Sequence, residues 1–177
     1  ALLKAWRLAN MGQDCLLLMV GDGPLKASLE PLYGADQGVL WLGFVGDEKQ
    51  RIDLLRAADV FVLPSLVEGL SLSLLEAMAC GLACIATDAG ADGEVLNQGT
   101  GIVLDTQGVT GQLKTLLPLL RDQPEWVTIL GHKARQRVLE RYTLHNNISQ
   151  LEQTYQSLCA NPTELHYAPP TPVQSYP

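Results

Sequence analysis

The sequence predicts an α/β protein: a doubly wound parallel sheet with helices gathered at its C-terminal end. Three observations predict it. Short apolar runs rich in aliphatic residues alternate with longer amphipathic stretches, the pattern of strands buried on both faces and covered by helices. Glycine-rich turns follow the runs, as at Gly21-Asp22-Gly23-Pro24 and Gly43-Phe44-Val45-Gly46. Hydrophobic residues make up 47% and charged residues 18% of 177 positions, enough for one domain with a real core. In such sheets the crossovers are right-handed and ligands sit beyond the carboxyl ends of the strands. The loops after Val20, Leu42, Leu63 and Thr87 are therefore the places to look.

The elements follow in order. Ala1 to Asn10 has Leu2, Ala5, Trp6 and Ala9 on one helical face. With no strand or cap before it, this helix reads as the opening of a piece of a longer protein. Cys15 to Val20 is an unbroken apolar strand, and Pro24 at a first helical position opens a helix through about Tyr33. Val39 to Leu42 is the second strand, and Glu48 to Ala58 a helix with Ile52, Leu55 and Ala58 on its apolar side. Asp59 to Pro64 is the third strand, its VFVL core β-branched and aromatic. A loop, Ser65 to Leu70, leads to a helix from about Ser71 to Cys80, stopped by Gly81. Ala83 to Thr87 is the fourth strand, Asp88 to Gly93 a flexible turn, and Gly101 to Leu104 the fifth strand. Helices fill Val109 to Leu120, Pro124 to Tyr142 and Leu144 to Cys159. Beyond Asn161, prolines 162, 169, 170, 172 and 177 mark an extended, mobile tail, giving a domain over 1–160 and a tail over 161–177.

Composition narrows the function. A net charge of −7 argues against a nucleic-acid surface, although one phosphate-bearing ligand needs only local donors. No apolar run approaches the ~18 residues of a membrane span, and no basic-then-apolar leader opens the chain. Cys15, Cys80, Cys84 and Cys159 sit in apolar segments without a CxxC pair, as buried reduced thiols of a cytoplasmic protein would. His132, His145 and His166 fall in the C-terminal helices or tail, and no metal-ligand cluster forms in the sequence.

Chemistry concentrates between Leu63 and Glu76. Glu68 lies in the loop after the third strand, and Glu76 lies eight positions later among Leu72, Leu74, Leu75, Ala77 and Met78. A carboxylate in that setting wants hydrogen-bond donors, such as ribose hydroxyls or backbone amides. Between the two glutamates, Gly69 to Leu72 approach a helix N-terminus, where free N–H groups and the helix dipole favour a phosphate. Two plainer readings stand beside this one. Ser73-x-x-Glu76 fits a capping box, and Glu68 fits a solvated loop residue.

The stretch EGLSLSLLEAMACG, Glu68 to Gly81, resembles the signature of the retaining family-4 (group 1) glycosyltransferases, with their paired glutamates and Leu-Glu-Ala-Met-Ala helix. Three further segments resemble the family in order and spacing: Val20-Gly-Asp-Gly-Pro24, Leu42-Gly-Phe-Val45 with Asp47, and Ala57-Ala-Asp-Val-Phe-Val-Leu-Pro-Ser65. The resemblance covers about Ala1 to Leu158. It implies the Rossmann-like C-terminal half of a GT-B fold, which binds a nucleotide-diphosphate sugar and transfers the sugar with retention, without cofactor or metal. Glu76 would then hold ribose hydroxyls, and Glu68 would contact the transferred sugar as the catalytic carboxylate. Backbone amides at Ser71 and Leu72, beside Gly69, would hold phosphate oxygens. Val45 and Asp47 would lie along the base through backbone contacts. Gly21 and Gly23 would let the chain turn at the cleft, or serve simply as a strand-to-helix turn.

Departures from the family pattern are local. Leu70-Ser71 stands for Phe-Gly, Ser73 for Pro, and Gly90-Ala91 for Gly-Gly, while Glu94 keeps the family's Glu. The family's phosphate-binding Arg and Lys precede the first helix, and Lys4 is not their counterpart. Its acceptor-binding N-terminal domain, for a sugar, lipid-linked or other acceptor, is likewise outside this chain. The helix after Tyr142-Thr143 packs in the family toward that domain, with Ile148, Leu151 and Tyr155 on its stripe. The expected setting is glycoconjugate or polysaccharide biosynthesis in the cytoplasm, with peripheral attachment at the inner membrane face left open. The rival readings are a non-catalytic nucleotide-diphosphate-binding module and a sugar-nucleotide epimerase of the same fold. A receiver-type domain is set aside because Leu63-Pro64-Ser65 offers no phospho-acceptor Asp.

Overall fold

The computed structural model describes residues 1–160; the segment 161–177, and the mobile tail expected there, lie outside the described residues. Helices and strands alternate as α1 (Leu2–Leu8), β1 (Leu17–Val20), α2 (Lys26–Leu29), β2 (Val39–Gly43), α3 (Glu48–Arg56), β3 (Val60–Leu63), α4 (Leu72–Cys80), β4 (Ala83–Thr87), α5 (Asp92–Leu96), β5 (Ile102–Leu104), α6 (Val109–Asp122), α7 (Pro124–Arg141) and α8 (Leu144–Ala160). All paired strands are parallel. The chain divides into Ala1–Leu139, with every strand, and the part from Glu140 onward, with α8. Along α8, Leu144, Ile148, Leu151 and Tyr155 are exposed.

The ladders come in two pieces, β1-β2 and β3-β4-β5. The two pieces share one core: Leu17 and Met19 of β1 and Val60 and Val62 of β3 pack on the cluster of Leu2, Trp6, Val39, Ile85, Leu104 and Leu113. Among the described residues no ladder joins β1 to β3. The mark on burial is plain. Every residue of β4, flanked on both sides, is buried, whereas every residue of β3, laddered on one edge, is only half-buried.

Helix boundaries mostly follow their local signals. Ser71 caps α4, its hydroxyl accepting from Leu74 N at 3.4 Å, and Gly81 ends the helix in the left-handed region at φ 86°. One expectation fails at α2. The predicted helix from Pro24 to Tyr33 is a single turn, Lys26–Leu29, followed by a 3-10 turn over Glu30–Leu32. Pro31 removes an amide donor from the last turn of the expected span, which interrupts the α-helical ladder. A second fails after β4. Asp88 to Gly93 is no flexible turn: Ala89, Asp92 and Gly93 are buried, and Asp92 opens α5.

Burial also sets the thiol chemistry. Cys84, inside β4, has its pKa pushed up to about 12 by desolvation and secondarily by Cys80, whereas Cys159 is exposed. The raised value means the folded protein holds the Cys84 proton more tightly than the unfolded chain. This contribution to stability is intact below pH 9.0 and is lost as pH rises toward about 12. Native alkylation at neutral pH should therefore modify Cys159 and spare Cys84, as peptide mass mapping would read. Labelling of Cys84 at the same rate as Cys159 would contradict this packing.

Candidate functional site

The carboxyl ends of β1, β2, β3 and β4 carry the loops that the sequence singles out. After β1, Gly21 adopts φ 122°, which favours glycine, and its N–H donates to Gly43 O at 2.7 Å. Neither Gly21 nor Gly23 has a neighbour within 4 Å of an added Cβ, so space around them is open. Gly23 N donates to Asp22 Oδ1 at 2.9 Å, an ordinary turn contact. After β2, Gly43 turns the chain at φ 68°, and the Lys26 ammonium stands over it, 3.4 Å from where a Cβ would be. Lys26 thus brings a cation to this edge, a role the sequence reading missed.

Val45 is buried beside that turn. The side chain of Asp47 is committed to structure: it caps α3, accepting from Gln50 N at 2.7 Å. The resemblance assigns a ligand to its backbone, which this cap leaves unchanged. From the second turn of α3, Arg51 reaches in two directions. Its Nη1 donates to Gly46 O at 3.3 Å, and its Nη2 stands 4.0 Å from Glu76 Oε1.

The position of the α4 cap removes one of the plainer readings of Glu76. The helix cap is Ser71 and not Ser73, and the amide it satisfies is Leu74 N. The capping box proposed from Ser73-x-x-Glu76 therefore does not form. The Glu76 carboxylate instead lies outward, about half exposed, facing the loop after β2. Ser73 hydroxyl meets Ser71 hydroxyl at 2.9 Å.

The loop of Glu68 and Gly69 is held from below by the segment after β4. Ala91 N donates to Gly69 O at 2.7 Å, and the Thr87 hydroxyl donates to Ser65 O. Gly90, at φ 59°, lies so close that a Cβ would overlap the carbonyl oxygens of Glu68 and Gly69. Asp92, only 1% exposed, accepts from Ser71 N at 2.9 Å. This bond qualifies one expectation: the Ser71 amide is already engaged. The amides at Leu72 and Ser73, in the first turn of α4, have no intrahelical acceptor and are the donors left for an anion. Glu68 is half-buried, and Gly69 is exposed with open space around it.

Asp92 and Arg51 join Lys26 as residues that sequence reasoning missed. Asp92 was hidden in a Gly/Asp stretch that reads locally as loop; its flanking Ala89 and Val95 were the available sign of burial. Arg51 carries no local signal, since its partners lie on other elements. Two open depressions lie elsewhere, one along Asp88 and Leu104 to Thr106, the other around Gly81, Gly131 and His132. Neither contains a donor-site candidate. Among the described residues no group of His, Cys, Asp and Glu could hold a metal ion, and no helix is long and apolar enough to cross a membrane.

The arrangement can be set beside known proteins. The family model of glycosyl transferases group 1 matches residues 1–122. The chain belongs to that family. It is 36% identical over 146 residues to the N-acetyl-alpha-D-glucosaminyl L-malate synthase of Bacillus anthracis, covering 80% of this chain and 37% of that protein. It is 28% identical over 157 residues to the UDP-Gal:alpha-D-GlcNAc-diphosphoundecaprenol alpha-1,3-galactosyltransferase of Escherichia coli, covering 86% and 39%. Among solved structures, the sucrose-phosphate synthase of Thermosynechococcus elongatus superposes with a TM-score of 0.72 at 27% identity, covering 90% of this chain and 43% of that one. The group 1 chain therefore has the α/β fold of GT-B glycosyltransferases and spans about two-fifths of the length of these two curated relatives.

Proposed function

We propose that this group 1 chain is the donor-binding half of a retaining glycosyltransferase that takes its sugar from a nucleotide diphosphate. The observation that carries the reading is that three kinds of group lie beyond the carboxyl ends of β1, β2 and β3. The first turn of α4 offers unpaired amides at Leu72 and Ser73, Glu76 is freed from capping, and Lys26 supplies positive charge. A diphosphate would lie at the α4 N-terminus, where dipole and amides favour negative charge. The ribose would meet the Glu76 carboxylate, and the base would run along Val45 and the Asp47 backbone. When the bond from the anomeric carbon to the diphosphate breaks, the leaving group gains charge, and these donors stabilise it best at that moment. Glu68, in the loop fixed by Gly90 and Ala91, would face the sugar.

A uridine nucleotide is the first to test, because the E. coli relative is named for UDP-Gal. Acceptor recognition is assigned to an N-terminal domain, which leaves this half to bind donor but not to turn it over alone. No metal or other cofactor enters this scheme, so chelators should leave nucleotide binding unchanged.

The test is a calorimetric titration of the chain with UDP, GDP and ADP, beside Glu76→Gln. One nucleotide should bind weakly, near ~1 mM or about −4 kcal/mol. Glu76→Gln should weaken it at least about ten-fold, the scale of a hydrogen bond to a charged group. Equal binding by the variant would remove Glu76 from the site and overturn the reading.

A further inference from the structure

We propose that Arg51 is a positioning residue: it holds the Glu76 carboxylate in place for the ribose of the donor nucleotide. The inference rests on the donor-site reading of Glu76 and goes beyond it to a residue that no family motif marks.

The geometry is that of a strut. One guanidinium nitrogen of Arg51 is fixed on Gly46 O at 3.3 Å, and another stands 4.0 Å from Glu76 Oε1. Gly46 belongs to the loop that carries Val45 and Asp47, and Glu76 belongs to α4, so one side chain spans the base side and the ribose side of the site. The Gly46 end is itself anchored. Asp47, next in sequence, caps α3, and Arg51 N closes the first helical turn on Asp47 O at 3.1 Å. A planar guanidinium can serve two acceptors at once; an ammonium on a flexible stem holds such a pair poorly.

Glu76 needs the help. Its carboxylate is about half exposed, and Arg51 is its only ion-pair partner among the described residues. A long, free side chain must lose rotamer freedom when a ligand engages it, which weakens binding. A neighbour that restrains it beforehand removes part of that loss. The pair contributes little to folding, because exposed ion pairs are weakly coupled and screened. Its effect should therefore appear in nucleotide affinity and not in the melting temperature.

A double-mutant cycle tests this on the chain as it stands, using whichever of UDP, GDP and ADP binds. Arg51→Ala should weaken binding about five-fold with an unchanged melting temperature. Arg51→Lys should recover only part of the loss. In a Glu76→Gln background, Arg51→Ala should add nothing, because the carboxylate it positions is gone. Full affinity in Arg51→Ala beside a weakened Glu76→Gln would overturn the proposal and leave the donor-site reading standing. A loss from Arg51→Ala that persists in the Glu76→Gln background would also overturn it, by making Arg51 a direct ligand contact. Glu76→Gln without effect, or no binding by the unaltered chain, would overturn the reading on which the proposal rests. Should Arg51→Ala fail to fold, Arg51→Gln, which keeps a donor for Gly46, takes its place in the cycle.

Discussion

Gly90→Ala should lower stability by about 3 kcal/mol, the largest effect of any single methyl group added at the site, and shift the melting temperature down by about 6–12 °C. Two independent costs combine there. The residue sits at φ 59°, where a side chain is strained, and its Cβ would overlap the carbonyl oxygens of Glu68 and Gly69. Those atoms are backbone, so no rotamer change relieves the contact. The loop of Glu68 and Gly69 would have to move away from the segment after β4, breaking the bond from Ala91 N to Gly69 O. Donor affinity should fall with stability. Calorimetric melting with a parallel nucleotide titration reads both. Gly99→Ala is the control: it shares the positive φ, at 75°, but has nothing within 4 Å of its Cβ, so it should lose only the conformational part. Equal losses at both positions would show that backbone strain alone acts at Gly90.

Asp92→Ala should cost about 2–3 kcal/mol, with a melting shift of about 4–12 °C. Asp92 is almost fully buried and accepts from Ser71 N at 2.9 Å, just ahead of the first turn of α4. Removing it leaves a buried amide without its acceptor and takes a negative charge from the positive end of a helix. Asp92→Asn keeps an oxygen acceptor and should recover about half the loss. The two variants should separate on nucleotide binding as well. Asp92→Asn removes a charge that repels phosphate while keeping the loop in place, so its affinity should equal or exceed that of the parent chain. A melt in which Asp92→Ala matches the parent would mean that the Ser71 bond contributes nothing.

Both residues lie in a segment that the sequence presents as a loose turn, and the reason is physical. Gly and Asp favour loops locally, because glycine admits positive φ and aspartate bonds its own backbone. What fixes Asp88 to Leu96 is distant: the carbonyls of Glu68 and Gly69 and the amide of Ser71. Where the deciding interaction is local, the sequence reads well. Gly81 stops α4 as expected, β4 runs over Ala83–Thr87 as its apolar pattern predicts, and α6, α7 and α8 begin at Val109, Pro124 and Leu144. The failure at α2 is an intermediate case. Pro24 suggested a start and Pro31 gave the interruption, and the second signal outweighed the first.

The site shows the same division. The paired glutamates and the glycine turns could be placed from the sequence because spacing along one chain sets Glu68 and the glycines in strand-end loops and Glu76 in the helix that follows. Which side chains were already occupied was not. Ser71 rather than Ser73 caps α4, Asp47 caps α3, and Arg51 reaches Glu76 across two helices. The Arg51–Glu76 contact depends on where two helices meet, whereas the two caps are contacts three residues long that compete with other uses of the same side chains.

The most direct test of the donor-site account is an amide-resolved NMR titration with UDP. The account predicts that the largest shifts fall on Leu72 and Ser73, followed by Val45 to Asp47 and Glu76, with little change along α6 and α7. Shifts confined to the depression around Gly81, Gly131 and His132, or spread evenly over the surface, would contradict it.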